Sequence, residues 1–332
     1  TLSLIGPNGA GKTTILQALS YLMKPSTGEI LFRGQQVGAT QGILEYRRRL
    51  AMVFQEPLLF DTTVSNNVAS GLKIRGIGGT DARRMVEAQL ERFGIMHLQD
   101  RSAKTLSGGE AQRTSLARAF AISPEILFLD EPFAALDPPT RESIVSDLEK
   151  VLAETKTTTI MATHDRNEAL RLSDRIAVME GGRIAQIDRP AVVMNEPVDE
   201  FVASFVGTET ILEGNVRGTN ETALMVAVNG SEIEVVGKGR VGEKVVLCIR
   251  PENVTLAIPD GTVKTSARNT FRGRVGRIVP MGLFHKVEIA CGFALVAYVT
   301  THAIEDLSLK EGNEITASVK ATAIHVIRKS GT

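Results

Sequence analysis

Residues 6 to 14, GPNGAGKTT, limit what this chain can fold into more than any other stretch, because they demand a strand, a glycine-rich turn and a helix in that order. The stretch fits G-x-x-x-x-G-K-[ST], with Gly6, four residues, then Gly11, Lys12 and Thr13. Gly6, Gly9 and Gly11 allow the backbone to turn its N–H groups inward, forming a nest for phosphate oxygens at a helix start. Lys12 adds a point charge for the terminal phosphates and Thr13 a hydroxyl for Mg²⁺, while Asn8 and Thr14 complete the loop. The apolar LSLI ahead of it reads as a buried strand.

At 332 residues the chain is long enough for two or three domains. Lys plus Arg equals Asp plus Glu, 38 each, so net charge calls for neither nucleic acid nor an anionic membrane surface. Cys248 and Cys291 sit singly in the apolar runs VVLCIR and EIACGF, which suggests no disulfide framework and no metal site, and fits a reducing cytosol. No apolar run approaches the roughly 18 residues that cross a bilayer. The chain starts without Met, and a phosphate-loop strand at residue 1 is expected to be an edge lacking its neighbours, as in an N-terminally truncated protein.

A second anion nest is written in TLSGGEAQRTSLARAF, residues 105 to 120. Ser107, Gly108 and Gly109 offer backbone donors at the start of a helix made of strong helix formers. The strand ILFLDEP then ends in Asp130, placed to hold Mg²⁺, and Glu131, placed to polarise an attacking water. AALD brings Asp137, and the strand TIMATHD ends in His164, within reach of a γ-phosphate. Upstream, MVFQEP ends a strand in Gln55, a sensor for Mg²⁺ and the water. His97, His285, His302 and His325 have no such context and receive no role.

Taken in order, these motifs resemble the ATP-binding cassette of ABC transporters over residues 1 to about 205. The resemblance implies an α/β P-loop NTPase fold, with a RecA-like core and a helical subdomain over 1–206. It implies ATP and Mg²⁺, and two copies pairing head to tail. Each ATP then lies between the Lys12 loop of one copy and Ser107 to Gly109 of the other, with Asp137 tying the sites together. Glu131, His164 and Gln55 are the implied catalytic residues, and Thr13, Gln55 and Asp130 the implied metal contacts. Residues 58 to 104 match the subdomain that docks a membrane subunit, although VSNNVASGLKI reads equally as a plain surface helix. The implied partners are two transmembrane permease subunits and an extracytoplasmic binding protein, and the implied location is the cytoplasmic face of the cell membrane. The aromatic residue that stacks on adenine in this family lies upstream of the loop.

Near residue 207 the helical periodicity stops and short alternating strands begin. ILEGNVRG at 211 to 218 aligns with TFRGRVGR at 270 to 277, and GEKVVLCIRPENVTL with GNEITASVKATAIHVI. Two five-stranded OB-like barrels of about 55 to 65 residues each fit this repeat, giving an all-β tandem over 207–332. Nucleic acid is a poor ligand for them, since this half has no Trp and few, dispersed aromatics to stack on bases.

SARNTFRGRV and VKATAIHVI resemble the Mop module of molybdate- and tungstate-binding proteins, over about residues 264 to 329. That resemblance makes Ser266, Arg268, Asn269, Lys320 and Thr322 the oxyanion candidates; hydroxyl, guanidinium and ammonium groups suit a compact dianion. Together the halves suggest the ATPase of a molybdate or tungstate importer, with the oxyanion as a regulatory ligand. The alternatives are an importer ATPase for sulfate, iron, a polyamine or a sugar, and a soluble ABC ATPase of translation or DNA repair.

Overall fold

The structure, a computed structural model, describes residues 1–259 and 265–329. It divides into two compact units, Thr1–Pro190 and Ala191–Thr332.

In the first unit, β1 (Leu2–Ile5) and α1 (Lys12–Leu19) flank the glycine-rich loop. A hairpin, β2 (Leu31–Phe32) and β3 (Gln35–Gln36), and α2 (Ile43–Arg48) lead to β4 (Leu50–Val53). Three helices follow: α3 (Val64–Ile74), α4 (Gly79–Arg92) and α5 (Gly108–Ala121). Then come β5 (Ile126–Asp130), α6 (Pro138–Thr155), β6 (Thr158–Thr163), α7 (Arg166–Leu172), β7 (Arg175–Glu180) and β8 (Arg183–Asp188). The sheet order is β4-β5-β6-β1-β7-β8, parallel except for β8.

The expected edge strand is therefore corrected: β1 pairs with β6 on one side and β7 on the other. An apolar strand with both faces covered belongs inside a parallel sheet, and LSLI, buried along most of its length, is one. The helices α3, α4 and α5 meet around Val68, Leu72, Leu90 and Leu116, all fully buried, in a core continuous with Val53 of β4, Leu127 and Leu129 of β5 and Ile144 and Leu148 of α6. The chain ahead of α3 is pinned by Asn67, whose buried amide accepts from Phe60 N at 2.7 Å and donates to Phe60 O at 3.0 Å.

The second unit begins with α8 (Pro190–Asn195), at the division, and α9 (Glu200–Phe205). Ten strands follow. The first repeat holds β9 (Thr210–Thr219), β10 (Ala223–Val228), β11 (Ser231–Val236), β12 (Lys244–Ile249) and β13 (Thr255–Ala257). The second holds β14 (Asn269–Pro280), β15 (Phe284–Ala290), β16 (Ala294–Thr300), β17 (Glu314–Val319) and β18 (Ile324–Arg328), with α10 (Thr301–Asp306) between β16 and β17.

The OB-like antiparallel repeat matches expectation, but the repeats are not separate barrels. One sheet runs β11-β10-β9-β12-β18 and the other β13-β17-β14-β15-β16. Each repeat thus lends its fifth strand to the other's fourth. A single hydrophobic core joins them, from Val226, Ile233 and Leu247 to Val287, Leu295 and Ala317. Two buried polar residues also cross between the sheets. Asn269 accepts from Glu234 N and donates to Glu234 O, both at 2.8 Å, and Thr210 Oγ1 accepts from Val296 N at 3.0 Å.

The division at Pro190/Ala191 falls ahead of the expected boundary at 206/207 because α8 and α9 belong to the β unit. Ala203 packs with Val246, Cys248 and Ile327, and Arg250 Nη2 donates to Met194 O at 2.6 Å. Both cysteines are free and buried.

Candidate functional site

The parallel register puts the ends of β1, β4, β5 and β6 on one edge of the sheet, where open α/β sheets bind ligands. The glycine-rich loop leaves β1 there. Gly9 and Gly11 adopt φ of 82° and 96°, the left-handed region that favours glycine. A Cβ on Gly6 would stand 2.4 Å from the Met179 carbonyl oxygen, so only glycine lets the loop pass β7.

Lys12 opens α1 and is buried, donating to Gly6 O at 3.0 Å and Pro7 O at 3.3 Å, with its ammonium 3.5 Å from Glu131 Oε1. Thr13 donates from Oγ1 to Asp130 Oδ1 at 2.8 Å. Asp130 ends β5, and its burial pushes the carboxyl above the usual range, against the smaller opposing pull of the Thr13 hydrogen bond. A buried carboxylate beside a hydroxyl, both hard oxygen donors, fits a Mg²⁺ ion, whose charge would offset the burial of the anion.

Glu131 stands one residue past β5, at φ 45°. Its Oε2 lies 3.0 Å from His164 Nδ1, one residue past β6, so the Glu131 carboxylate sits between an ammonium and an imidazole. Gln55 is exposed two residues beyond β4, on the same sheet edge. Asn8 and Thr14 are exposed within the loop and the first turn of α1.

The second nest is a capping box. Ser107 Oγ accepts from Glu110 N at 3.3 Å, and Glu110 Oε2 accepts from Ser107 N at 2.7 Å. That closes two first-turn donors of α5 and leaves the Gly108 and Gly109 N–H groups, which have no intrahelical acceptor, to face an anion. Asp137 caps α6 by accepting from Thr140 N at 3.1 Å, and hydrogen bonding to Thr140 holds its carboxyl below the usual range.

Two neighbours of the cluster escape a reading of the sequence. Glu168 is buried in α7, where it accepts from Thr163 Oγ1 at 2.5 Å, and burial pushes its carboxyl up. Arg141, in the first turn of α6, donates to Leu136 O at 3.1 Å and approaches Asp165. The spacing Asp165-x-x-Glu168 is the signal that was available, since it marks a helix start.

The five oxyanion candidates of the β unit differ in exposure. Asn269 is buried with its amide spent on Glu234, while Ser266, Arg268, Lys320 and Thr322 are exposed. Lys320 lines a pocket of about 560 Å³ together with Thr270, Arg272, Thr316 and Ser318, side chains that the motif reading did not single out. Thr322 lines another, of about 350 Å³, with Arg250 and His325.

Comparison with known proteins adds a pattern at each end. The ABC transporter family matches residues 1–134 and the TOBE domain residues 265–326. The chain is 39 % identical to the molybdate/tungstate import ATP-binding protein WtpC of Pyrococcus horikoshii, over 97 % of this chain and 91 % of that protein. It is 37 % identical to the sulfate/thiosulfate import ATP-binding protein CysA of Mycobacterium bovis, over 97 % and 84 %. The spermidine/putrescine import ATP-binding protein PotA of Trichodesmium erythraeum is 37 % identical, over 84 % and 74 %. Among solved structures, cbiO1 of Clostridium perfringens, described as part of the ABC transporter complex cbiONQ, aligns with a TM-score of 0.55 and 33 % identity, over 62 % of this chain and 82 % of that one.

Proposed function

The chain belongs to the ATP-binding proteins of ABC importers and is an ATPase coupled to transport; from that premise we propose that its cargo is the molybdate or tungstate dianion. The observation that carries the ATPase reading is the cluster at the sheet edge: Thr13 against Asp130, and Glu131 between Lys12 and His164.

The γ-phosphate of ATP takes the place of Glu131 as the partner of Lys12, and the loop N–H groups hold the remaining phosphate oxygens. Thr13 and Asp130, together with Gln55, would hold Mg²⁺, which would neutralise charge on the phosphates. Released from Lys12, Glu131 accepts a proton from the attacking water, and His164 orients the γ-phosphate. A second copy supplies Ser107, Gly108 and Gly109 to complete the site, with Asp137 at the seam. ATP then favours the closed pair because it contacts both halves, and hydrolysis withdraws that preference.

Leu58, Phe60 and Ile74, ahead of and at the end of α3, are exposed apolar side chains in the region proposed to meet a membrane permease. Among the described residues no helix is long and apolar enough to cross a membrane. Two permease subunits are proposed to provide the path, as in the importers to which the chain is related. An extracytoplasmic binding protein delivers the anion at the cytoplasmic membrane.

The cargo assignment is supported by the WtpC relatives and by the TOBE match over the SARN and KATA segments. Lys320 and Arg272, flanked by Thr270 and Ser318, give the pocket the cations and hydroxyls an oxyanion needs. Sulfate is the second reading, favoured by a relative 37 % identical over 97 % of the chain. Bound oxyanion is proposed to slow ATP hydrolysis when the cell is replete.

Calorimetric titration of the intact chain with molybdate, tungstate, sulfate and spermidine tests the assignment. Binding of the first two at micromolar concentration or below, abolished by Lys320→Ala, is expected. Tighter binding of sulfate or spermidine would transfer the assignment to that cargo.

A further inference from the structure

Arg141 touches two turns at once. Its Nη2 donates to the Leu136 carbonyl at 3.1 Å, and its Nη1 lies 3.7 Å from Asp165 Oδ2. Leu136 immediately precedes Asp137, and Asp165 immediately follows His164. One guanidinium therefore spans the turn that opens α6 and the turn that opens α7.

Behind His164 the backbone is held from both sides. Asp165 Oδ1 accepts from Asn167 N at 2.7 Å and Glu168 N at 3.3 Å, while its own N–H donates to Thr163 Oγ1 at 3.0 Å. Thr163 Oγ1 in turn donates to buried Glu168 at 2.5 Å. His164 is thus fixed at its two flanking residues, and its ring is left to meet Glu131 at 3.0 Å. Whatever displaces Asp165 displaces the imidazole.

The ion pair to Asp165 is longer than a hydrogen bond, and Arg141 Nε is buried without an acceptor among the described residues. A planar guanidinium offers Nη1 and Nη2 side by side, so one side chain can meet both turns at once. A link serving only to pack α6 on α7 would need neither the Leu136 carbonyl nor a position between Asp137 and His164.

We infer that Arg141 is a positioning residue through which the turn at Leu136–Asp137 sets the placement of His164 against Glu131. The inference rests on the reading of Glu131 and His164 as the hydrolytic pair. It makes hydrolysis depend on the position of the Asp137 turn, the segment proposed to lie at the seam with the second copy.

The test is a double-mutant cycle on steady-state ATP hydrolysis by the intact chain, with Arg141→Ala and His164→Ala alone and together. Arg141→Ala is expected to lower kcat roughly tenfold with KM for ATP changed less than about twofold, and to add little in the His164→Ala background. Arg141→Lys, a cation that cannot span both acceptors, behaves like Arg141→Ala. In imidazole NMR spectra, Arg141→Ala moves the His164 signal, identified by its loss in His164→Ala, and leaves the other four histidines in place.

Equal kcat losses in both backgrounds, or an unmoved His164 signal, would overturn the inference while leaving the hydrolytic pair standing. An unchanged kcat in His164→Ala would remove the pair itself, and the inference with it.

Discussion

Glu131 lies at φ 45°, a conformation that costs a non-glycine residue about 1–3 kcal/mol. The strain delivers its carboxylate to the space between Lys12 and His164. Glu131→Gln keeps the shape and removes the base, so kcat should fall roughly 10²- to 10⁴-fold while nucleotide binding persists, as equilibrium binding and single-turnover kinetics would show. Asp130 gives a prediction of opposite sign for stability. Its carboxyl is raised above the unfolded value by burial, so its contribution is fully present at low pH and is lost as pH rises through the folded value. In Mg²⁺-free buffer at neutral pH, Asp130→Asn should raise the melting temperature, and hydrolysis of MgATP should collapse. A variant that melts earlier than the parent would contradict this account. At this scale the gathering of Lys12, Asp130, Glu131 and His164 at one sheet edge was legible, because each lies at or just past the end of an apolar strand or the loop that follows it. Arg141 and Glu168 were less legible: the Asp165-x-x-Glu168 spacing marks a helix start, but the approach of Arg141 to Asp165 and the burial of Glu168 come only with the fold. Asn269 is an oxyanion candidate by the resemblance of SARN to the Mop module, whereas in the fold it is buried with its amide bonded to Glu234.

The elements show where a local pattern stops being informative. The repeat was readable, because β9 with β14 and β12 with β17 share strand-and-glycine spacing. The exchange of β13 and β18 was not: a strand's alternation says which face is buried, never which neighbour it pairs with. The expectation that β1 is an edge rested on its place at residue 1, but later strands supply both neighbours, β6 and β7. Exchange carries a consequence for stability. Ile324 and Ile327 belong to the second repeat yet complete the first sheet through β12. Ending the chain after residue 323 removes both side chains, worth roughly 1.5–3 kcal/mol each when fully buried. Hydrogen exchange should then report lost amide protection in β9, β10 and β12 as well as in β14 and β17. Loss confined to β14–β17 would mean that the repeats fold as independent barrels.

At the scale of the whole molecule, the place where the chain divides follows from which buried faces find a partner. VVMNEPVDEFVASFVG has helical periodicity, so the sequence groups it with the helical half. Its buried residues are matched elsewhere: Ala203 contacts Val246, Cys248 and Ile327, Arg250 holds Met194 O, and Lys329 reaches Glu200 at 3.0 Å. Periodicity reports that a helix has an apolar face but not which unit covers it. The thiol of Cys248 reads out the difference, since burial, with a smaller contribution from Glu200, pushes it up to about 12, where almost no reactive thiolate exists at neutral pH. Two fragments distinguish the boundaries, one starting at Ala191 and one at Gly207. The longer retains α9, so it should melt cooperatively and keep Cys248 unreactive toward a thiol reagent until denaturant unfolds it. The shorter lacks Val202 and Ala203, both fully buried, and uncovers the Cys248 side of β12. Its Cys248 should react at least about tenfold faster under native conditions, as expected of a thiol that regains contact with water. A Cys248→Ser variant identifies the reacting group, because Cys291 lies in the shared core of both fragments. Equal protection of Cys248 in the two fragments would return α8 and α9 to the ATPase half and restore the boundary at 206/207.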